Sequence, residues 1–139
     1  MKRYIRSAVT PVSNLGRDDR CYAARHSDVP AELESLSHDD SEYVRSAVAK
    51  NPNTPLKIVE RLVGDAYSNK VSDAALSNKA VTPEVLISWI DNSYPIVVWR
   101  IANNRKTPTE VLQYIINNYP EERGKLYAKE ELECRSHSI

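Results

Sequence analysis

An all-α fold, an α-solenoid of about four two-helix repeats, is predicted by three observations. Pro30, Pro55, Pro83 and Pro108 stand 25, 28 and 25 residues apart. An aliphatic residue follows each of them by three positions: Leu33, Ile58, Leu86 and Val111. Glycine occurs only three times in 139 residues, against eight prolines, too rarely for hairpin-rich β folds or glycine-cradled phosphate sites, which need positive φ at many positions. A unit of about 25 residues cannot bury its own apolar stripe, so neighbouring units must stack, each covering the next.

Each element follows from local chemistry. Thr54-Pro55, Thr82-Pro83 and Thr107-Pro108 read as helix starts: the threonine hydroxyl accepts from a first-turn amide, and proline lacks only an amide that has no partner there. In the first repeat Val29 precedes Pro30 instead. Beyond the prolines, Leu56, Ile58, Val59, Leu62 and Val63 share one helical face, as do Val111, Leu112, Ile115 and Ile116. A shorter helix precedes each cap, typified by Val44 to Ala49 and Val97 to Ala102. Ala49 and Ala102 allow close helix approach, and the Asn51-Pro52-Asn53 turn ends the former helix. The three extra residues of the middle interval fall in or near Ala66 to Lys70, a polar turn.

The segment from Val44 to Pro55, with Val44-Arg45, Ala47-Val48-Ala49, Asn51-Pro52 and Thr54-Pro55, resembles the signature of the leucine-rich repeat variant family. The resemblance covers residues 20–120, is clearest in the second and fourth repeats, and implies a right-handed superhelix whose first helices are short, often 3-10. The place of Arg45 is taken by Arg20 in the first repeat and by Asp73 in the third. Residues 1–19, where Tyr4 to Val9 imitate Tyr43 to Val48, read as an N-terminal cap or truncated repeat, and residues 121–139 as a C-terminal half-repeat cap and tail. The iron-sulfur cluster associated with this family's relatives is not expected, because the cysteine group that holds it is missing from the sequence.

Charge narrows the function. Nineteen basic residues balance nineteen acidic ones, so no strong field for nucleic acid or anionic membrane is expected. An acidic joint at Glu32, Glu34, Asp39, Asp40 and Glu42 separates two mildly basic stretches, and reads as a solvated turn in preference to a cation site, lacking calcium-loop spacing. No run is apolar enough for a signal peptide or a bilayer span, making the cytoplasm the expected location. Cys21 and Cys134, 113 positions apart, match no metal or redox spacing; a solenoid sets them roughly 30 Å apart, out of disulfide reach. His26, His38 and His137 form no catalytic or zinc pattern. No catalytic, cofactor or metal residues are therefore expected.

A non-catalytic module that binds another protein, through its concave face or the polar ridge ahead of the Thr-Pro pairs, is the reading these features favour. Candidate contacts are Arg45, Lys50, Asn51, Asn78, Lys79, Trp99, Arg100, Asn103, Asn104 and Arg105. Arg45 and Arg100 either ladder with carboxylates of a neighbouring repeat or hold a partner's carboxylate or phosphate. The asparagines are explained equally by turn chemistry. Trp99 is a gap-filler or an interface anchor, Trp89 is core, and Tyr43, Tyr67, Tyr94 and Tyr119 are expected to pack between repeats. The alternative partner is nucleic acid, if Arg6, Arg20, Arg25, Arg45, Arg100, Arg105 and Lys106 converge. A glycosylase-type enzyme built on Asp73 and Trp99 is the remotest option.

Overall fold

A computed structural model describes residues 12–137, the side chain of Ser13 apart. The N-terminal cap expected over Tyr4 to Val9, and Arg6 with it, lie outside the described residues. Among those residues the fold is all-α. A 3-10 turn η1 (Val12–Asn14) is followed by α1 (Arg17–His26), α2 (Pro30–Leu36), α3 (Glu42–Lys50), α4 (Leu56–Val63), α5 (Asn69–Leu76), α6 (Pro83–Asn92), α7 (Pro95–Asn103), α8 (Thr109–Asn118) and α9 (Glu122–Ser136). Two compact units divide the chain between Ala80 and Val81.

In the first unit α3 is central, packing against α1 and α5 on its two sides and against α2 and α4. Its core is aliphatic: Leu33, Val44, Val48, Val59, Val63 and Val71 are fully buried, each contributing about 1.5–3 kcal/mol relative to exposure. In the second unit α6 packs on α7 and α8, and α9 lies against α7 and α8. Val98, Ile101, Val111, Leu112 and Ile115 are fully buried there, and Trp89 is 6% exposed. Gly124 is required where α9 meets Tyr119, since a Cβ there would stand 2.8 Å from the tyrosine ring.

Several local expectations change. The first helices α1, α3, α5 and α7 are α-helical, not 3-10; at 10 and 9 residues α1 and α3 are longer than α2 and α4, while α5 and α7, at 8 and 9, are shorter than the 10-residue α6 and α8. Leu56 is 38% exposed and leaves the buried face formed by Ile58, Val59, Leu62 and Val63. Only Thr82 caps as expected, accepting from the Val85 amide at 3.3 Å. Thr54 and Thr107 are buried, and their hydroxyls donate backwards to the Val48 and Ile101 carbonyls at 2.7 Å. There the prolines themselves sit just before α4 and α8, their carbonyls accepting the first helical bonds. The turn length accounts for the difference: three residues separate Asn78 from Thr82, but two separate Asn51 from Thr54 and Asn104 from Thr107.

The same turn corrects the register of the third pair. Val71, Ala75 and Asn78 are buried where Val44, Val48 and Asn51 are, an offset of 27 for all three. The counterpart of Arg45 is therefore Ser72, not Asp73, and the middle insertion splits, two residues before α5 and one after it. The Ser72 hydroxyl is buried without a hydrogen bond among the described residues.

Candidate functional site

The polar positions ahead of the prolines turn inward as a ladder. Asn51 is 2% exposed, and its amide donates to the carbonyls of Ala24 and Ser27, both at 2.9 Å. One helix pair later, Asn78 donates to Ala49 at 2.8 Å and to Asn51 at 3.2 Å. The other end of each side chain fixes its own turn. Asn51, Asn78 and Asn104 accept from the amides of Asn53, Ala80 and Lys106 at 2.8, 2.9 and 2.8 Å. Ser27 does the same for Val29 at 3.1 Å, with a side chain too short to reach further. These are Asx and ST turns, and they satisfy carbonyls that a helix C-terminus leaves without an intrahelical partner. Lys50 and Lys79 beside them are exposed.

A second ladder is ionic. Arg20 pairs with Asp39 at 2.7 Å and donates to the Leu15 carbonyl. Arg45 pairs with Asp65 at 2.8 Å, and its other nitrogen donates to the carbonyls of Asp39 and Asp40. Each guanidinium thus ties the turn before its helix to the turn after the next one. Asp39 belongs to the acidic joint expected to be solvated, yet its side chain is only 11% exposed. Asp65 was not foreseen. The signal available for both was an aspartate 19 or 20 residues after an arginine near a helix start.

Burial pushes the Asp65 carboxyl up, but the Arg45 guanidinium and the amides of Tyr67 and Ser68 outweigh it and hold the group below its ordinary value. A carboxyl depressed on folding stabilises the protein above its unfolded value, about 3.9, and loses that contribution as pH falls toward its folded value. Stability measured by urea unfolding is expected to decline below about pH 5, with a shallower decline in Asp65→Asn. Equal declines in the two chains would show that Asp65 does not carry this term.

Exposed side chains of α1, α3 and α5 include Arg17, Arg25, Tyr43, Lys50 and Lys70. A groove of about 440 Å³ is lined by Arg17, Asp18, Cys21 and Arg25 of α1 and by Tyr43 and Ala47 of α3. The Tyr43 ring is approached from α1 by the Arg17 guanidinium, 5.7 Å from its centroid, and from α5 by the Lys70 ammonium at 5.0 Å. Tyr43 is 53% exposed. Ser41 and Ser68, the N-caps of α3 and α5, accept from the Tyr43 and Lys70 amides and so place these two side chains at adjacent helix starts. A larger cleft of about 670 Å³ runs between the α2–α3 and α4–α5 turns. Most of its charges are paired: Arg45 with Asp65, Asp39 with Arg20, and Arg61 with the exposed Glu34 and the Ser37 hydroxyl. The His38 hydrogen bond, then Arg61, hold Glu34 below its ordinary value against a smaller opposing effect of burial.

In the second unit Trp99 is half-buried, donating to Glu121 at 2.8 Å, with the Tyr127 ring edge-on at 6.4 Å and the Arg123 guanidinium 4.8 Å from its own ring. The α9 region therefore covers most of it. Arg100 is half-buried, while Asn103 and Arg105 are exposed. The Arg105 carbonyl accepts from Arg135 at 2.8 Å and the Asn104 carbonyl at 3.5 Å, giving these C-terminal carbonyls of α7 and its turn a donor from α9. The tyrosines depart from expectation, since Tyr43, Tyr67 and Tyr94 are 53%, 91% and 80% exposed and only Tyr119 is buried.

Among the described residues no group of His, Cys, Asp and Glu is arranged to hold a metal ion, and no helix is long and apolar enough to cross a membrane. Cys21 is half-buried and Cys134 exposed, and neither is in a disulfide. Compared with known proteins, the chain matches no family model, no curated protein and no solved structure.

Proposed function

We propose that the chain is a non-catalytic protein-binding module, a solenoid of leucine-rich repeat variant type, acting in the cytoplasm as an adaptor, inhibitor or accessory subunit. The partner docks on the face of α1, α3 and α5. One observation carries this reading: Tyr43 stands half-exposed beside an open groove, held between cations from two neighbouring helices. An aromatic ring fixed in that way contributes contact area at little entropic cost, which is how interface anchors act. The recurrent turns at Ser27, Asn51, Asn78 and Asn104 support the repeat character, because equivalent side chains make equivalent bonds. On this reading the buried ridge residues Asn51 and Asn78 serve the scaffold, and exposed Lys50 stands at the end of the docking face. Arg20 and Arg45 are neutralised by Asp39 and Asp65, which removes two of the cations on which nucleic-acid binding would rely.

A photo-crosslinking residue at Ala47, introduced in the native host, is expected to trap one specific protein, identified by mass spectrometry. The same residue at exposed Lys57 on α4 should trap none. No adduct at Ala47, or identical adducts at both sites, would remove the reading.

A further inference from the structure

We propose that the occupant of this groove is an acidic, extended segment of the partner protein, whose carboxylates pair with Arg17, Arg25 and Lys70 around the Tyr43 ring; this rests on the docking face just described. Charge complementarity is the argument. Arg17 and Arg25 stand two helical turns apart along α1 on the groove's rim, about 12 Å by helix rise, and Lys70 reaches the same ring from α5. Exposed Lys50 lies on the α3 stripe of Tyr43 and Ala47, one turn beyond. The two acids that pair with Arg17 and Lys70 hold them loosely. Asp18 is 97% exposed and only 3.9 Å from the Arg17 nitrogen, and Glu42 meets Lys70 at 3.8 Å with both groups well solvated. Such pairs contribute little and exchange readily for a carboxylate brought by a ligand.

An extended chain spaces successive residues about 3.3 Å apart, so alternate carboxylates can reach the cations while the intervening residues pass over Ala47. The floor is made by small side chains, Cys21 and Ala47, which leave room for a backbone. Single-stranded nucleic acid offers anions too, but its binding sites combine a basic groove with aromatic faces on which bases stack. The Arg17 and Lys70 cations already lie over the Tyr43 ring, so a base stacking there would have to displace a cation that the phosphates need.

The test is a titration of the full chain with a short peptide of alternating glutamate and alanine, followed by amide chemical shifts at low salt. Shifts are expected at Arg17, Cys21, Tyr43 and Ala47, weakening as salt is added. Reversing the two charges beside the Tyr43 ring, Arg17→Glu with Lys70→Glu, should weaken binding about tenfold or more, with Arg105→Glu as an unaffected control. All these side chains are exposed, and thermal melting checks that folding is intact. The inference is overturned if the peptide shifts none of these residues, if the double variant binds equally well, or if oligothymidylate moves the same resonances at lower concentration. It is also overturned if these resonances shift on raising protein concentration without peptide, the signature of a second copy as occupant. The crosslinking at Ala47 separates the two failures: a trapped protein whose contacting segment is not acidic ends this inference and leaves the binding module standing.

Discussion

Replacing Arg45 by methionine is expected to lower unfolding stability by about 3–5 kcal/mol, the usual consequence of stranding one member of a buried ion pair. Both side chains are almost enclosed, Arg45 at 10% and Asp65 at 7% exposure. Methionine fills the space but leaves the carboxylate without its guanidinium, and it removes the donor to the Asp39 and Asp40 carbonyls. A second substitution isolates the charge. Asp65→Asn keeps the Oδ1 acceptor that takes the Tyr67 and Ser68 amides, so Arg45→Met with Asp65→Asn should recover most of the loss. Asp65→Asn alone should be destabilising, because it strands the guanidinium instead. Urea unfolding of the four chains measures the coupling. A loss below about 1 kcal/mol for Arg45→Met would place the pair among solvated surface bridges, and Arg45 would again be available to a partner.

Asn51→Ala is expected to cost about 2–4 kcal/mol, since the side chain satisfies two carbonyls and one amide at once and a buried polar group left unpaired costs about 1–3 kcal/mol. Asn51→Asp has nearly the same shape and keeps the bond from the Asn53 amide, but it turns an acceptor oxygen toward the Ala24 and Ser27 carbonyls at donor distance. At neutral pH it should be at least as damaging as alanine. Asn53→Ala, two residues on and exposed, should change stability by less than about 0.5 kcal/mol. If all three variants unfold at the same urea concentration as the parent, the inter-turn bonds carry no stability and the asparagines serve the surface.

The helix pairs were legible because their signals are local. Proline spacing marks where each second helix begins within a residue, and aliphatic residues at helical intervals mark its inner face, as Leu33, Ile58, Leu86 and Val111 show by being nearly or fully buried. The third pair was misread by one residue for the same reason that it was readable at all: counting back from Pro83 assumes equal turns, and the additional residue between Asn78 and Thr82 shifts everything before it. Thr54 and Thr107 look like N-caps in a window of four residues. Whether a threonine hydroxyl bonds forward to an amide or backward to a carbonyl depends on how the turn folds, and a buried carbonyl at Val48 or Ile101 is the partner that the short turn brings within reach.

The candidate contacts divide along the same line. Composition and spacing determined by themselves that the chain is helical, that its turns are built from Asn, Ser, Asp and Pro with almost no glycine, and that no chemistry-bearing motif stands out along it. Only the tertiary structure decided which polar residues hold the scaffold and which face outward. Arg45 and Asp65 are 20 positions apart, Asn51 and Ala24 are 27 apart, and Tyr43 meets cations from helices before and after its own. Local propensity acts over a helical turn or two, whereas a buried charge or amide must be matched by whatever group packing brings to it. That matching engages Arg45, Asn51 and Asn78 in bonds within the fold and leaves Tyr43, Arg17 and Lys70 exposed, on the face proposed for the partner.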